Sequence, residues 1–452
     1  MNDKKQKEIL KSFLNENVII IVDKGHASKS RLSKTLVEFG ARQENVKLFS
    51  DFEPALQAYN DYSARLILCD YFIVGGSGFD LFREIRKSEN GREAINILIT
   101  SNLSQAAVAR AAEEDVDSFI LKPYTVNILL ENLAQTVAEK LIPSDYLQKI
   151  NEGRKFLESG NVEQAEAIFS EAKKLNEKPA LAHYYNGFSQ YIGKHLNEAR
   201  DEYNEGLTHN QIHFKCLKGL FDVHMGQGEI ERAYMVAKNL VKYFPLNQER
   251  LMISIRLAIQ TKSYDDLSGF YDVFLANEEK SDKVINHICA GMYVVGKYFL
   301  KNNQKEKAMD LFKKVGLSFG GYYKFIRSTI EILVDCDCDI EASDFFKLYK
   351  PEMSKDPGYQ VSEYLIKTLT LQNDQIIALG VELIENKYHS LVVYKKVIKA
   401  AHLLGNKEYV DKYLRQAKAI FVDKVEELDN YMEELDNMGQ PAPVPTLNPV
   451  AA

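Results

Sequence analysis

Tryptophan is absent from the 452 residues, and cysteine occurs only 5 times. Cys69, Cys216, Cys289, Cys336 and Cys338 make neither a disulfide-dense scaffold nor two matching metal-ligand pairs, so ordinary reduced thiols are expected. No apolar stretch is long enough to cross a bilayer. The first strongly apolar run, 18–22, is also too short for a signal-peptide core, which points to a cytoplasmic protein without membrane insertion. An excess of basic charge is lacking too: 57 Lys and Arg stand against 64 Asp and Glu, a net charge of -7, and this disfavours a nucleic-acid partner. What remains is 45% hydrophobic and 27% charged residues, the balance of a folded chain with ample core. Its length allows two to four domains, or one domain and a repeat array.

Two regimes follow one another. Between about 17 and 139, short apolar runs alternate with amphipathic segments: 17–22 before 28–40, 46–49 before 53–62, 64–70 before 78–88, 95–100 before 104–116, and 118–122 before 125–140. The central runs are continuously hydrophobic, which predicts a parallel sheet covered on both faces, an α/β domain of (βα)5 type over 15–141. After Pro143 the strand signals stop. Helices broken by Gly, Asn and Pro recur with a period of 34: Gly153, Ala165, Phe169 and Ala172 return as Gly187, Ala199, Tyr203 and Gly206. Small residues at those places let two helices cross closely while the aromatic ring fills the groove between units.

Segments 151–179 and 185–207 resemble tetratricopeptide repeats. Units fall at 146–179, 180–213 and 214–247, and the order Gly296, Phe299, Ala308, Phe312 continues the pattern. The expected all-α solenoid spans 144–421 and is degenerate after about 320. A helix at 422–438, with Leu428, Tyr431 and Leu435 on one face, would cap it, and the proline-rich, uncharged 439–452 reads as a disordered tail.

Functional groups of a parallel sheet gather beyond the carboxyl ends of its strands. Here those ends carry Asp23, Asp70, Thr100 and Lys122, the last followed by Pro123. Two carboxylates, a hydroxyl and an ammonium on one rim suit a carboxylate nucleophile that accepts a phosphoryl group, with Lys122 balancing charge and Thr100 donating to a phosphoryl oxygen.

The stretch resembles the receiver domain of two-component response regulators, in 22–32, in 69–78 with Gly78, in 98–101 and in the FILKPY segment 119–124. That resemblance implies Asp70 as phosphoacceptor, with Thr100 and Lys122 reading the phosphate and Phe119 as an aromatic switch. It also implies Mg2+ held by Asp23, Asp70 and the Phe72 backbone carbonyl. Two positions depart from the family pattern: Lys24 stands where a second acid is usual, and Val74 where proline is. A lysine there removes a ligand and adds positive charge, so Mg2+ is expected to bind weakly, and Lys24 could instead pair with Asp70. The implied partners are a sensor histidine kinase or other phosphodonor, and a protein or peptide bound by the repeats. No enzyme is expected beyond self-phosphorylation from a phosphodonor. The alternative is a degenerate, unphosphorylated receiver within a static interaction scaffold. The solenoid histidines form no HExxH site, although His209 and His213 are spaced to share a helix face.

Overall fold

A computed structural model describes residues 2–88, 90–91, 93–101, 116–277, 280–318 and 323–438. All but the last residue of the expected helix at 104–116, and the whole tail at 439–452, lie outside them. The chain falls into two compact units, 1–279 and 280–452.

The first part of the first unit is built on a five-stranded sheet. Its strands are β1 (Ile19–Val22), β2 (Val46–Phe49), β3 (Leu66–Asp70), β6 (Ile95–Thr100) and β7 (Ser118–Leu121), in the order β2-β1-β3-β6-β7 with every pairing parallel. Successive side chains go to opposite faces. Ile19, Ile21, Leu66, Leu68, Ile95 and Ile97 therefore face one layer, while Ile20, Val22, Ile67 and Cys69 face the other with Tyr59, Phe79 and Phe82. Burial on both sides explains why these strands read as unbroken apolar runs.

A helix that the sequence reading leaves out precedes the sheet. Asp3–Glu16 is capped by the Asn2 side chain, which accepts from the Lys5 amide, and it buries Leu10, Phe13 and Leu14. The three residues belong to the first core layer, together with Leu129 and Leu133 of the helix Val126–Leu141. The polar run 1–8 hides this helix, because its apolar stripe begins only at the ninth residue.

Two short strands, β4 (Phe72–Ile73) and β5 (Gly76–Ser77), form an antiparallel ribbon after β3, where the sequence suggests only a loop. Val74 explains one departure from the family pattern. Its amide donates to the Ser50 carbonyl at 3.0 Å and its carbonyl accepts from Phe52 at 2.9 Å. Proline has no N–H and would lose the first of these bonds.

Beyond Leu141 the first unit consists of helical hairpins: Asp145–Glu158 with Val162–Lys173, Ala180–Ile192 with Leu196–His209, Phe214–Gly226 with Ile230–Tyr243, and Gln248–Gln260 with Leu267–Ala276. A Cβ on Gly153 would come within 2.4 Å of the Phe169 ring, and one on Gly187 within 2.8 Å of the Tyr203 ring. The repeat is thus a repeated close approach, glycine on one helix and an aromatic ring on its neighbour. The tight turn of the first and third hairpins holds a left-handed glycine, Gly160 at φ 80° and Gly228 at φ 72°.

The second unit continues with hairpins from Asp282–Lys301 to Lys407–Ile420 and ends in the helix Val425–Met438. The same approach occurs there, with a Cβ on Gly296 meeting Phe312 at 2.5 Å. The last helix buries Leu428 and Leu435. Lys395 ties it down: its ammonium donates to Asp335 Oδ1 at 3.0 Å and to Glu427 Oε1 at 2.9 Å, and the Tyr431 hydroxyl donates to the Lys395 carbonyl.

Candidate functional site

Parallel register carries three strand ends to one rim. β1 pairs with β3 through Val22 and Cys69, so the next residues, Asp23 and Asp70, emerge side by side. β6 pairs with β7 through Thr100 and Leu121, which delivers Lys122 to the same edge, its amide bonded to the Thr100 carbonyl at 2.8 Å. The Lys122 ammonium donates to Asp23 Oδ2 at 2.7 Å and to Asp70 Oδ2 at 2.5 Å. Asp23, Asp70 and Lys122 therefore form one bridged group drawn from three strands.

Asp23 is buried, and its carboxylate is heavily engaged. Oδ1 accepts the Gly25 amide at 2.7 Å, and Oδ2 accepts the Ser28 hydroxyl at 2.7 Å besides Lys122. Burial by itself would raise the Asp23 pKa, but the bonds from Lys122, Ser28 and Gly25 outweigh it and hold the carboxyl below its ordinary value. Burial likewise opposes the charge on Lys122, and the two carboxylates overcome it and raise that ammonium. Cys69 sits directly behind the acid pair; burial, with the Asp70 and Asp23 charges adding, pushes its thiol well up and keeps it inert.

Gly78 opens the helix Gly78–Lys87 hard against this group. A Cβ there would lie 2.5 Å from the Asp70 carbonyl oxygen, so only glycine lets that helix approach the strand end. Thr100, at the end of β6, is 2% exposed. Phe119 is half-buried, paired in register with Leu98 and packed on the same layer. Phe72 begins β4 and is 41% exposed.

Lys24 does not contact Asp70. Its ammonium lies 5.8 Å from the centroid of the Phe72 ring, and Lys122 is the cation on Asp70. The reason is positional: Lys24 follows the strand end into an exposed turn, whereas Lys122 enters from the rim between the two acids. Ser28 lies outside the expected site; its signal is a hydroxyl in the first turn of the helix His26–Phe39, just after an acid-terminated strand.

Mg2+ takes hard oxygen ligands, and the expected set offers that chemistry. The arrangement as it stands sets protein groups in competition with the ion. Both Asp23 oxygens already accept hydrogen bonds, an ammonium bridges the two acids, and Lys24 adds charge of the wrong sign nearby. Among the described residues no group of three or more His, Cys, Asp or Glu could hold a metal ion. In the repeats, His209 ends one helix and His213 caps the next, accepting from the Cys216 amide, so they share no helix face.

Residues 19–134 match the family model of the response regulator receiver domain. The stretch is similar to chemotaxis protein CheY-3 of Vibrio cholerae serotype O1, 26% identical over 125 residues that cover 27% of this chain and 95% of that protein. It is also similar to the probable chemotaxis protein CheY of Rhizobium etli, 25% identical over 108 residues, 24% of this chain and 82% of the relative. A solved tetratricopeptide repeat protein from Parabacteroides merdae aligns with 65% of this chain and 99% of its own at 16% identity and a TM-score of 0.28. Residues 19–134 form a receiver-type domain, and the helical hairpins that follow share a recurring close approach of a glycine and an aromatic ring.

Proposed function

We propose that this protein is a response-regulator-type signalling protein in which phosphorylation of Asp70, or docking of a partner on the receiver, controls protein binding by the helical repeats. The observation that supports this most is the Lys122 bridge between Asp23 and Asp70 at three converging strand ends. Lys122 engages Asp70 Oδ2 and leaves Oδ1 as the oxygen to attack phosphorus. A lone pair on Oδ1 forms the new P–O bond while the donor's bond to phosphorus breaks and the leaving group takes the electron pair. The ammonium then offsets charge on the phosphoryl oxygens, with Thr100 as hydroxyl donor and Phe119 as the residue whose packing responds.

The receiver would span 15–141 and the binding array 144–421, closed by 422–438. The phosphodonor is a sensor histidine kinase or a small acyl phosphate, the output partner a protein or peptide, and the setting cytoplasmic. The repeats carry no catalysis in this reading, and Mg2+ binds weakly. Incubation with acetyl phosphate, followed by mass spectrometry, should find one phosphoaspartate, at Asp70, and partners captured by the full chain should differ between loaded and unloaded protein. Modification at another residue would overturn the assignment. A second reading, a receiver held in one state inside a static scaffold, is favoured by the engaged oxygens of Asp23 and by Lys24. It predicts no label and identical partners in both conditions.

A further inference from the structure

The loop that leaves Asp70 does not stay over its own strand. β1 lies between β2 and β3 in the sheet, yet Val74, in the loop after β3, is bridged to Asp51, just beyond the end of β2. To reach it the chain must cross the carboxyl end of β1, where Asp23 stands. Residues 71–74 are therefore a strap across that strand end, fastened on the far side.

The fastening joins backbone, ring and ammonium. The Val74 amide donates to the Ser50 carbonyl at 3.0 Å, and the Phe52 amide donates to the Val74 carbonyl at 2.9 Å. Gly75, at φ 82°, turns the chain back, and a Cβ on Gly76 would come within 3.1 Å of the Phe52 ring. Lys29 completes the set: it is 8% exposed, and its ammonium donates to the Ser50 hydroxyl. An ammonium taken out of water needs such a bond, so the pairing fixes Ser50 to the helix His26–Phe39. The neighbouring Ser28 donates to Asp23 Oδ2. One turn of helix thus anchors both Asp23 and the strap.

The strap bears on Asp70 because it starts at the next residue. The Asp70 side chain is 19% exposed, so a phosphoryl group on Oδ1 would sit at a narrow opening. Its loss by hydrolysis needs a water oxygen to bond phosphorus opposite Oδ1 while the bond from Oδ1 to phosphorus breaks. The electron pair returns to the Asp70 carboxylate, and the water protons leave with the phosphate as H2PO4−. That in-line approach requires room, which a strap pinned at Ser50 withholds. We propose that Lys29, Ser50 and Val74 are positioning residues that hold the strap and prolong the phosphorylated state of Asp70. The proposal rests on the reading of Asp70 as phosphoacceptor. Proline at position 74, usual in the resembling family, would delete the amide that fastens the strap.

The full chain is labelled with acetyl phosphate, the donor is removed, and the phosphorylated mass is followed over time by mass spectrometry. Val74→Pro should shorten the half-life of the label about tenfold. Ile73 before it is already in an extended strand, which a following proline tolerates. Ser50→Ala should act in the same direction, and Ser50→Thr, which keeps the hydroxyl, should restore most of the half-life. Combining Val74→Pro with Ser50→Ala should cost no more than Val74→Pro alone, because both open one fastening. Urea unfolding checks that the receiver stays folded; if Val74→Pro does not fold, Ser50→Ala and Ser50→Thr decide. Unchanged half-lives in the folded variants, or a loss in Ser50→Ala that Ser50→Thr fails to restore, would overturn the proposal. No label on the unsubstituted chain would instead overturn the assignment of Asp70, and the proposal with it.

Discussion

The receiver and the repeats both depend on a missing Cβ, for opposite purposes. In the receiver, Gly78 lets a helix start against the Asp70 carbonyl, and what gathers there is polar: Asp23 and Thr100 are buried, and Lys122 is half-buried. In the repeats, Gly153 and Gly187 let an aromatic ring fill the space, and what gathers is apolar: Phe169 and Tyr203 are almost wholly buried. The receiver's rim is held by ionic and hydrogen-bonding terms, which respond to pH and ligands. The repeats are held by packing, which responds to volume. A signal arriving as charge therefore has an element to act on in the receiver.

The receiver rim and the repeat packing can each be perturbed separately. The largest effect should come from Asp70→Asn, which removes the charged nucleophile and should abolish phosphoryl incorporation from acetyl phosphate, read by intact-mass spectrometry. Persistent label in that variant would detach the rim from the chemistry. Next is Phe169→Ala in the repeats, expected to destabilise by about 3–5 kcal/mol because a large buried ring leaves a cavity, measured by urea unfolding followed by circular dichroism. A loss under about 1 kcal/mol would show that the groove between the helices collapses without it.

Gly153→Ala tests the same contact from the other side. Its Cβ would enter the Phe169 ring, so a cost of about 1–3 kcal/mol is expected, and in the Phe169→Ala background the cost should largely vanish. Additive costs would mean that the two residues do not share the space.

In the receiver, Lys24→Asp should tighten Mg2+ several-fold, followed by amide chemical shifts. Unchanged affinity would show that Lys24, seated over Phe72, has no influence on the pocket.

The smallest effect concerns pH. The folded pKa of Asp23 lies below its ordinary 3.8, so its contribution is fully present above that value and is lost as pH falls through the lowered one. Lys122 is raised above 10.5, so its share is present below 10.5 and is lost as pH rises through the raised value. Acid unfolding of the receiver should lose part of its pH slope in Asp23→Asn, while the repeat transition stays where it was. An unchanged receiver slope would mean that other carboxyls dominate.

Much of the fold was legible in the residues. Continuous apolar runs in a chain of alternating helices define a parallel sheet, because only burial on both faces tolerates them. The return of Gly153 and Phe169 as Gly187 and Tyr203 announces the repeat, because a ring needs a facing residue without a side chain. The four polar strand ends were equally readable, since parallel strands point their carboxyl ends one way. The helix Asp3–Glu16 was not, because its stripe of Leu10, Phe13 and Leu14 is short and follows a polar run.

Residue type and order by themselves determined which strand ends carry acid, hydroxyl and ammonium, and where the helices must cross closely. Which cation reaches Asp70 was decided only in three dimensions. Lys24 is adjacent in sequence to Asp23 yet turns toward Phe72, while Lys122, far along the chain, reaches both acids. Local sequence fixes a residue's place on its own strand, whereas the pairing of β1 with β3 and of β3 through β6 to β7 fixes which strand ends meet.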